Sequence, residues 1–448
     1  MSGEVQEGAG PLFRNTPAGP GRSERLRRVA ARLKAGPDDL GKMDSHARAK
    51  PLLAAASGSS EVQEGAGPLL RNTPAGPGRT PGISVVIPFH ADRLPLLERL
   101  LDSLREAGAR HGGPWECIVV DDSGPTVEPA VRALVAASGA RYLRGPVPAG
   151  PKRNAGAAAA RHDLVLFLDS DCIAAPGLLS AHVECLRAAG ESVGGALGMV
   201  EFNGGRSLTW DIAERSGTWR CFAWAADFKR VLWGPAANFA VRASAFAAVG
   251  GFDEGLSVRA GGEDVALGVR MTEAGHPLIT CREALVWHDR EHTTVGAMLR
   301  RFYRYGKGEG YDCAEFPRRT TWKVSPAQAG LALAVLLAVL LAVLPVGGWA
   351  WRVGAPLLTV AATAGVDLWQ WRRGMRAFRR RARPGGQEAR PGALRSLLLD
   401  LACVPFGWAN VAGLTAQALA TGRPALAFRR FQFVTFDDFE LRLPPVRR

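Results

Sequence analysis

Two aspartates, Asp169 and Asp171, follow directly after the apolar run 164–168 (LVLFL) and could act on one ligand together. Side chains at positions i and i+2 of a strand point to the same face, and paired carboxylates are typical ligands of a hard divalent cation. Such a cation would neutralise the charge of a bound diphosphate. The alternative is a solvated turn or a helix cap, which are also typical settings of an Asp-x-Asp sequence.

Polar residues also follow two earlier apolar runs, and this indicates which elements position the aspartates. The run 83–87 (ISVVI) ends at Pro88, and the run 117–120 (CIVV) ends at Asp121 and Asp122. Between them leucines recur at the i, i+3, i+4, i+7 spacing of a helix, at Leu94, Leu97, Leu100, Leu101 and Leu104. This stretch is therefore predicted to form a strand, a helix and a strand. Ligands of open parallel α/β sheets bind beyond the carboxyl ends of the strands, where these acidic residues fall.

Lys152 and Arg153 begin a small-residue segment, 150–160 (GPKRNAGAAAA), that is predicted to form a helix ahead of the Asp169 run. Small side chains allow a helix to approach a sheet or a ligand closely, and the two cations would then meet a phosphate or a pyrimidine ring. The alternative is a surface helix on which both charges are solvated.

The chain is long enough for one large domain with additional elements, and its net charge of +14 would suit nucleic acid or an anionic membrane surface. Arginines are concentrated in the short segment 371–383, which lies between apolar stretches, and no nucleic-acid-binding motif is found. This distribution favours membrane lipids over nucleic acid as the partner. The seven cysteines are scattered and contain no C-x-x-C pair, which is typical of reduced thiols in the cytoplasm.

Three apolar segments in the C-terminal third predict a membrane-associated region. The segment 327–344 has 18 uncharged positions, close to the minimum for a transmembrane helix, although a buried core helix fits the same pattern. The segment 349–366 has tryptophans near its ends and a short connection to the first, so the two are expected to form a hairpin. The third, about 397–420, is expected to span, to re-enter or to lie in the interface.

The positive-inside rule gives the expected orientation of this region. The Arg-rich segment 371–383 is expected to form a cytoplasmic loop, because basic residues are retained on that side of the membrane. The large N-terminal part would then be cytoplasmic as well. The sequence thus predicts a multi-pass cell-membrane protein with its main domain in the cytoplasm.

The N-terminal region contains a nearly identical repeat. Residues 4–22 recur at 61–79, with 18 of 19 positions identical. The repeated unit is rich in glycine and proline and has little to bury, so residues 1–80 are expected to be a disordered extension. The rest of the chain is expected to comprise an α/β domain over 81–312 and a membrane-associated helical region over 313–448.

Six short motifs follow one another between about Ile83 and Asp312. They are Val86-Ile87-Pro88, Val120-Asp121-Asp122-Ser123, Arg153-Asn154-Ala155-Gly156, Phe167-Leu168-Asp169-Ser170-Asp171, Trp233-Gly234-Pro235-Ala236-Ala237-Asn238 and Gly261-Gly262-Glu263-Asp264. Their order resembles the family 2 glycosyltransferases. The resemblance implies the α/β GT-A fold, a Rossmann-like fold of nucleotide-diphospho-sugar transferases. A fainter similarity to the mycofactocin-type glycosyltransferases covers 301–306 and 399–414.

The resemblance assigns one set of residues to a nucleotide sugar donor. Pro88 and Phe89 are expected to close over the pyrimidine ring, while Asp121 or Asp122 hydrogen-bonds the base or the ribose. The other expected donor-binding residues are Lys152, Arg153 and Asp169.

The resemblance also implies a Mg or Mn cofactor. Asp169 and Asp171 are expected to hold this ion against the diphosphate of the donor. His288 is expected to be the third ligand, since an imidazole can complete a site with two carboxylates. His292 is its rival for this role, and a purely structural histidine is the alternative to both.

On the acceptor side the resemblance implies a catalytic base. Asp264, assisted by Glu263, is expected to deprotonate an acceptor hydroxyl for attack on the sugar. Trp233, Gly234 and Asn238 are expected to contact the acceptor.

The implied reaction is transfer of a hexose from a nucleotide diphosphate sugar, a UDP-hexose, to a hydroxyl group with inversion of configuration. The acceptor stays open between a glycan, a lipid-linked sugar and a peptide-derived molecule. The basic and aromatic segment 298–311 is expected to lie in a membrane interface or to contact donor phosphates through Arg301, Arg304 or Lys307. A sugar-phosphate nucleotidyltransferase and a non-catalytic membrane scaffold that retains the fold are the alternative functions.

Overall fold

The computed structural model describes residues 80–90, 93–290, 293–343, 348–382, 392–435 and 439–441. The predicted N-terminal extension before residue 80 and His292 lie outside the described residues. The strands in these ranges are β1 (Thr80–Phe89), β2 (Trp115–Asp121), β3 (Arg141–Arg144), β4 (His162–Leu168), β5 (Cys172–Ala174), β6 (Gly195–Asn203), β7 (Phe228–Val231), β8 (Asn238–Arg242), β9 (Leu278–Asp289), β10 (Thr320–Trp322), β11 (Arg429–Phe431) and β12 (Glu440–Leu441).

Thirteen α-helices are found in the same part of the chain. They are α1 (Leu94–His111), α2 (Glu128–Ala137), α3 (Ala149–Ala159), α4 (Leu178–Ala189), α5 (Leu208–Ser216), α6 (Trp224–Asp227), α7 (Ala243–Ala248), α8 (Glu254–Arg259), α9 (Glu263–Glu273), α10 (Val295–Glu315), α11 (Pro326–Val343), α12 (Trp349–Ala382) and α13 (Ala393–Ala420). The strand, helix and strand predicted over 83–120 are confirmed as β1, α1 and β2.

Ten strands form one mixed sheet in the order β12-β7-β9-β6-β8-β4-β1-β2-β3, with β5 paired to β9. Strand β1 lies parallel to both β2 and β4, with Ile83 opposite Trp115 and Leu164. Strand β8 runs antiparallel between β4 and β6, and β9 is parallel to β6. Because β1, β2 and β4 run in the same direction, their carboxyl ends meet at one edge of the sheet.

The central strands are buried on both faces. Ile83, Val85 and Ile87 face the layer of α1, α2 and α4, while Val86 faces the layer that includes α3, α7 and α9. All four side chains are fully buried. Helices on both faces explain why the strand sequences are continuously apolar, without the alternation of a half-exposed strand.

Two helices of the described residues are long and apolar enough to cross a membrane, Pro326–Val343 and Leu394–Ala420. The first is α11, and most of its aliphatic side chains are exposed. Helix α12 packs along it, since a Cβ added at Gly330 would lie 1.9 Å from Thr363 Oγ1. The two predicted hairpin segments therefore do contact each other.

The Arg-rich segment does not form the expected loop. Helix α12 continues without a break for 34 residues, so that 371–382 is its last part. Arginine is a good helix former, and the first Pro-Gly sequence of this region comes only at 384–385. The prediction that this segment forms a loop is therefore wrong, because it is helical.

The third apolar segment is helix α13, and one side of it lies against the α/β domain. Leu399, Cys403 and Phe406 pack in a cluster that contains Trp210 and Phe302. This cluster covers apolar surface of the helix that a membrane would otherwise have to cover.

Asp400, a charged residue within this apolar segment, is part of a buried network of ion pairs. Asp400 accepts hydrogen bonds from Arg215 Nε of α5 and from Arg372 Nε of α12, each at 2.6 Å. Helix α13 is thus tied to the α/β domain and to its neighbouring helix by the same carboxylate. The expected domain boundary at 312 falls inside α10, which passes through it without a break.

Helices α10 and α13 pack backbone against backbone. A Cβ added at Gly306 would lie 1.8 Å from the carbonyl oxygen of Asn410, and one added at Gly413 would lie 1.9 Å from that of Tyr303. A side chain at either position fits only if the helices move apart, because protein interiors are close-packed.

Gly306→Ala is therefore expected to lower the free energy of unfolding by about 1–3 kcal/mol, as overpacked cores do. The melting temperature of the full-length chain in detergent measures this. Gly296→Ala is the matched control on the same helix, since a Cβ at Gly296 would meet only the flexible end of a side chain, Arg300 Nη1, at 3.8 Å. Equal melting temperatures for the two variants would contradict the proposed tight contact.

Candidate active site

Asp169, Asp171 and His288 come together at the carboxyl edge of the sheet. Strand β4 ends at Leu168, and both aspartates lie in the turn before β5, so the expectation that they share one strand face is wrong. The turn brings them together instead. His288 Nε2 lies 3.3 Å from Asp171 Oδ1 and 3.9 Å from Asp169 Oδ2.

The protonation of His288 suits a metal ligand. Its Nδ1 lies 2.8 Å from the carbonyl oxygen of Asp289, which can only accept a hydrogen bond, so Nδ1 carries the proton. In the neutral ring Nε2 then has a free lone pair directed at Asp171. A lone pair that faces a carboxylate is stabilised by a cation between them, and this donor set fits Mg or Mn.

Cys172 belongs to the same cluster but is poorly suited as a ligand. Asp171, Cys172 and His288 form a group whose ligand atoms lie within 4.8 Å of one another. The buried thiol of Cys172 donates to the carbonyl oxygen of Ala237 at 3.7 Å. Burial raises the pKa of Cys172, and the nearby Asp169 and Asp171 raise it further, so the thiol stays protonated.

Arg93, which the sequence analysis did not single out, also contacts this cluster. Its Nη1 donates a hydrogen bond to Asp171 Oδ2. The residue follows β1 at the same carboxyl edge, where a cation beside a diphosphate would be useful. Its position immediately before the leucine-rich helix α1 was the available sequence signal.

Lys152 and Asp122 form a buried ion pair at the carboxyl edge of the sheet. Lys152 Nζ donates to Asp122 Oδ1 and to the carbonyl oxygen of Phe89, each at 2.6 Å. His90 Nδ1 lies 2.8 Å from the same Asp122 oxygen. Burial opposes the ionisation of Asp122, but Lys152 and His90 together outweigh it and hold its pKa below the usual range. The alternative of a solvated charge at Lys152 is therefore wrong.

Asp121 is occupied within the protein. Its Oδ1 accepts from the backbone N–H of Ser123 at 2.9 Å, and its Oδ2 accepts from the hydroxyl of Tyr142 at 2.9 Å. The side chain is fully buried. Of the two aspartates expected near the base or ribose, only Asp122 adjoins an exposed residue, His90.

Pro88 and Phe89 do not form a loop over a ligand. Both are buried residues at the end of β1, and Phe89 belongs to the apolar layer beside α1. The strand continues through them because β1 still pairs with β2 there, with Phe89 opposite Asp121. The prediction that their side chains close over a pyrimidine ring is therefore not supported, and His90 is the first exposed residue after the strand.

Arg153 links the cluster of Asp169, Asp171 and His288 to the Glu263-Asp264 motif. Its Nη2 donates to Asp169 Oδ1 at 2.7 Å, and its Nη1 donates to Glu263 Oε1 at 3.3 Å. The guanidinium is buried, with 8% of its side chain exposed. The neighbouring Asn154 fixes the loop between α7 and α8, since it exchanges hydrogen bonds of 2.9 Å with the backbone of Phe252 in that loop. The alternative of a solvated Arg153 is wrong for the same reason as for Lys152.

Asp264 has the properties of a base that works near neutral pH. It lies in the first turn of α9, and its side chain lines a pocket. Burial raises the pKa of Asp264 to about 7, and the negative charge of Glu263 contributes, while Arg153 opposes the shift. Perturbed carboxyls of this kind cluster at functional sites.

The pocket beside Asp264 has a volume of about 810 Å³. It extends from the α/β domain to helices α10, α12 and α13, and Trp233 is part of its wall. Its aromatic wall residues are Trp219, Phe222, Trp224, Trp233, Phe302, Tyr305, Trp408 and Phe433. Phe302 and Tyr305 belong to the basic and aromatic segment 298–311, for which the sequence predicts another role. Apart from Trp233, none of these residues was expected to contact the acceptor, because they come from segments far apart in the chain.

Two further residues expected on the acceptor side lie in the interior. Asn238 is fully buried and donates to the carbonyl oxygens of Met199 and Ala284 at 3.0 and 2.8 Å. Its Oδ1 lies 2.8 Å from His182 Nε2. Gly234 packs on Leu197, where a Cβ would lie 2.4 Å from Cδ1. The structure thus gives Asn238 and Gly234 packing roles and brings neither to the pocket wall.

Solved structures similar to this chain include two glycosyltransferases. One is the mannosyltransferase PcManGT from Pyrobaculum calidifontis in complex with GDP-Man and Mn2+, at 16% identity over 77% of this chain and 87% of that chain, with a TM-score of 0.38. Another is GalNAc-T7 with UDP, GalNAc and Mn2+, at 17% identity over 53% of this chain and 50% of that chain, with a TM-score of 0.37. A search of curated proteins found no match.

The sequence match to a protein family is more direct. Residues 84–249 match the family model described as Glycosyl transferase family 2. The matched range begins in β1 and contains the Asp121-Asp122, Arg153-Asn154 and Asp169-Ser170-Asp171 motifs. It therefore confirms the resemblance on five of the six motifs that suggested it, and Gly261-Gly262-Glu263-Asp264 lies beyond the matched range. Residues 84–249 of this chain are therefore similar to the family 2 glycosyltransferases, and they form part of a mixed α/β sheet.

Proposed function

We propose that this chain is a membrane-attached, inverting glycosyltransferase that moves a hexose from a nucleotide diphosphate sugar, a UDP-hexose, to an acceptor hydroxyl. One observation carries the proposal: the Arg153 guanidinium contacts both Asp169 of the metal-binding cluster and Glu263 beside Asp264. A diphosphate-binding group and a carboxyl base are thus held on either side of one buried cation.

Each residue has a defined part in this reaction. Asp169, Asp171 and His288 would hold Mg or Mn, which when bound supplies charge neutralisation for the departing diphosphate. Asp264 accepts the proton of the acceptor hydroxyl. The acceptor oxygen forms a bond to the anomeric carbon from the face opposite the leaving group, as the bond to the diphosphate oxygen breaks, and the configuration inverts.

Membrane attachment is proposed from the C-terminal helices. Helix α11 exposes Leu331, Val335, Leu336 and Val339, an apolar surface that water does not favour. The Asp264 pocket reaches α12 and α13, so an acceptor held close to a membrane surface could enter it. The basic end of α12 favours the cytoplasmic side for the glycosyltransferase domain.

The proposed function is tested by release of UDP from a panel of UDP-hexoses, with GDP-mannose for comparison. The full-length chain in detergent is expected to release UDP with Mn2+ or Mg2+ and to lose this activity with EDTA. Protection of the chain against thermal unfolding by the same nucleotide sugar would identify the donor. Neither turnover nor protection with any nucleotide sugar would contradict the proposal and favour a non-catalytic scaffold.

The rate is expected to rise with pH through about 7. Asp264 must be ionised to accept a proton, and burial raises its pKa to about 7, so the active form of the base increases from pH 6 to pH 8. The initial rate of UDP release between pH 5.5 and 8.5 measures this, with Mn2+ binding recorded at each pH as a control. A rate that stays flat across this range while Mn2+ binding is constant would contradict the assignment.

A further inference from the structure

Helix α13 has an exposed apolar stripe that the proposed reaction does not use. At 3.6 residues per turn, six exposed apolar residues of this helix fall within an arc of about 60°. They form the outer stripe, which consists of Leu394, Leu398, Leu401, Pro405, Ala412 and Leu419. The stripe is about 38 Å long, and an exposed apolar surface of this extent marks an interaction site.

The opposite side of α13 lies against the α/β domain along nearly the whole helix. Near its start, the hydroxyl of Ser396 accepts a hydrogen bond from Arg215 Nη2 of α5 at 2.7 Å. Near its end, Gln417 packs on α10, since a Cβ added at Gly310 would lie 2.9 Å from Gln417 Cγ. The helix is therefore held to the domain over 396–417 and cannot move relative to it.

Helix α10 does not fit inside the hydrocarbon core of a bilayer. Its charged residues are Arg300, Arg301, Arg304, Lys307, Glu309, Asp312 and Glu315. Charged side chains are costly inside a bilayer and are rare in transmembrane segments. Gly306 and Gly413 hold α10 and α13 backbone against backbone, so α13 is kept at the same depth as α10. Helix α13 therefore does not cross the core, although its length and hydropathy fit a membrane span.

The contacts of α13 with the hairpin of α11 and α12 show the direction in which it runs. Gln328 Nε2 of α11 donates to Thr415 Oγ1 at 3.4 Å, and Trp408 Nε1 donates to Asp367 Oδ2 of α12 at 2.6 Å. Both contacts lie within about one turn of the tight contact between α11 and α12 at Gly330, on the same side of it. Their levels along the hairpin differ by about 3 Å, whereas the seven residues of α13 between them extend about 10 Å. Helix α13 thus runs across the hairpin.

We propose that α13 lies in the plane of the membrane surface and that its outer stripe binds lipid acyl chains, while the hairpin of α11 and α12 crosses the membrane. The inference rests on the membrane attachment in the proposed function. The exposed apolar surface of α11 favours lipid as the occupant, since α11 begins beside α13, where Gln328 also donates to the carbonyl oxygen of Ala427 at 2.7 Å. Arg395 and Arg423, near the two ends of α13, are exposed and would meet anionic headgroups. One face on the domain and one on lipid account for the apolar composition of α13.

Single cysteines at exposed positions beside the helices test this orientation. Gly392→Cys precedes α13 and Ala425→Cys follows it, while Val324→Cys and Gly348→Cys flank α11 as the matched control. In sealed membrane vesicles that carry the full-length chain, a membrane-impermeant maleimide is expected to label the Gly392, Ala425 and Val324 variants from one side and the Gly348 variant from the other. The labelling of the wild-type chain, which has seven cysteines, is subtracted. Labelling of the Gly392 and Ala425 variants from opposite sides would overturn the proposal.

A quencher carried by the lipid tests what covers the outer stripe. A fluorophore attached to Leu398→Cys, in a nanodisc that holds one chain, is expected to lose most of its emission when the lipids carry brominated acyl chains. Glu273→Cys, on the surface of the α/β domain, is the control and is expected to keep its emission. Both signals are measured relative to the labelled wild-type chain. Emission at Leu398 that brominated lipid does not change would overturn the acyl-chain assignment and favour solvent or a second copy of the chain as the occupant.

The outcomes separate this proposal from the proposed glycosyltransfer. The four variants beside the helix ends do not alter the wall of the Asp264 pocket, so they are expected to release UDP as the wild-type chain does. Absence of UDP release from the wild-type chain would contradict the proposed reaction whatever the vesicles show. Labelling of the Val324 and Gly348 variants from the same side would contradict attachment through the hairpin together with this proposal. Opposite labelling of the α13 pair alone would contradict only the orientation of α13.

Discussion

Asp264→Asn is expected to lower the rate of sugar transfer by about 10²–10⁴-fold, the range in which a general base contributes. The asparagine amide has a shape close to that of the carboxyl group, so the pocket should keep its form, but it cannot accept the proton of the acceptor hydroxyl. Mn2+ and donor binding should change little, because Asp169, Asp171 and His288 are not altered. The measurement is UDP release with saturating donor, together with the dissociation constant of the donor.

A control on the same helix distinguishes loss of the base from a general effect. Glu273 lies at the other end of α9, where it forms a surface ion pair with Arg319 at 2.7 Å. Glu273→Gln removes the same charge and should retain nearly full activity, since surface pairs contribute little. Comparable activity of Asp264→Asn and Glu273→Gln would show that Asp264 is not the base.

Asp171→Asn is expected to weaken Mn2+ binding by about 100-fold or more, because even residues that only orient metal ligands typically contribute 10–100-fold. The asparagine keeps one oxygen but loses the charge that faces His288 Nε2. Donor binding should fall in parallel if the ion lies between protein and diphosphate. Equilibrium dialysis with Mn2+ measures the first effect, and donor binding with and without Mn2+ measures the second.

Asp289→Asn is the matched control for the metal site. Asp289 is next to His288, but its carboxylate pairs with Arg99 at 2.9 Å and only its backbone carbonyl meets the imidazole. The variant keeps that carbonyl, so Mn2+ affinity should be close to that of the wild-type chain. Unchanged Mn2+ affinity in Asp171→Asn would contradict the metal site.

The sequence predicted the order of elements around the site because each depends on local patterns. Each of these patterns lies within a single strand or helix, as in the apolar runs at 83–87 and 164–168 and the leucine spacing of α1. The same reasoning failed where a strand ends. Phe89 was expected in a loop although β1 continues through it, and Asp169 was expected in a strand although β4 stops at Leu168. Element ends depend on the neighbouring strand, which local patterns do not reveal.

The charges of the site show a second limit of sequence reasoning. In isolation Lys152 and Arg153 fit a solvated helix surface, but the structure buries both. Their partners, Asp122 and Asp169, lie 30 and 16 residues away in the sequence, so a local pattern does not reveal these ion pairs.

The last strand of the described residues determines where the protein can be cut into fragments. Strand β12 pairs with β7 at the edge of the main sheet, and Phe439, which is 2% exposed, contacts the rings of Trp224 and Phe228. The polypeptide thus returns to the main sheet after helix α13. A fragment cut after α10 would lack an edge strand and part of its own core. The C-terminal helices are therefore structurally joined to the α/β domain and are not a detachable anchor.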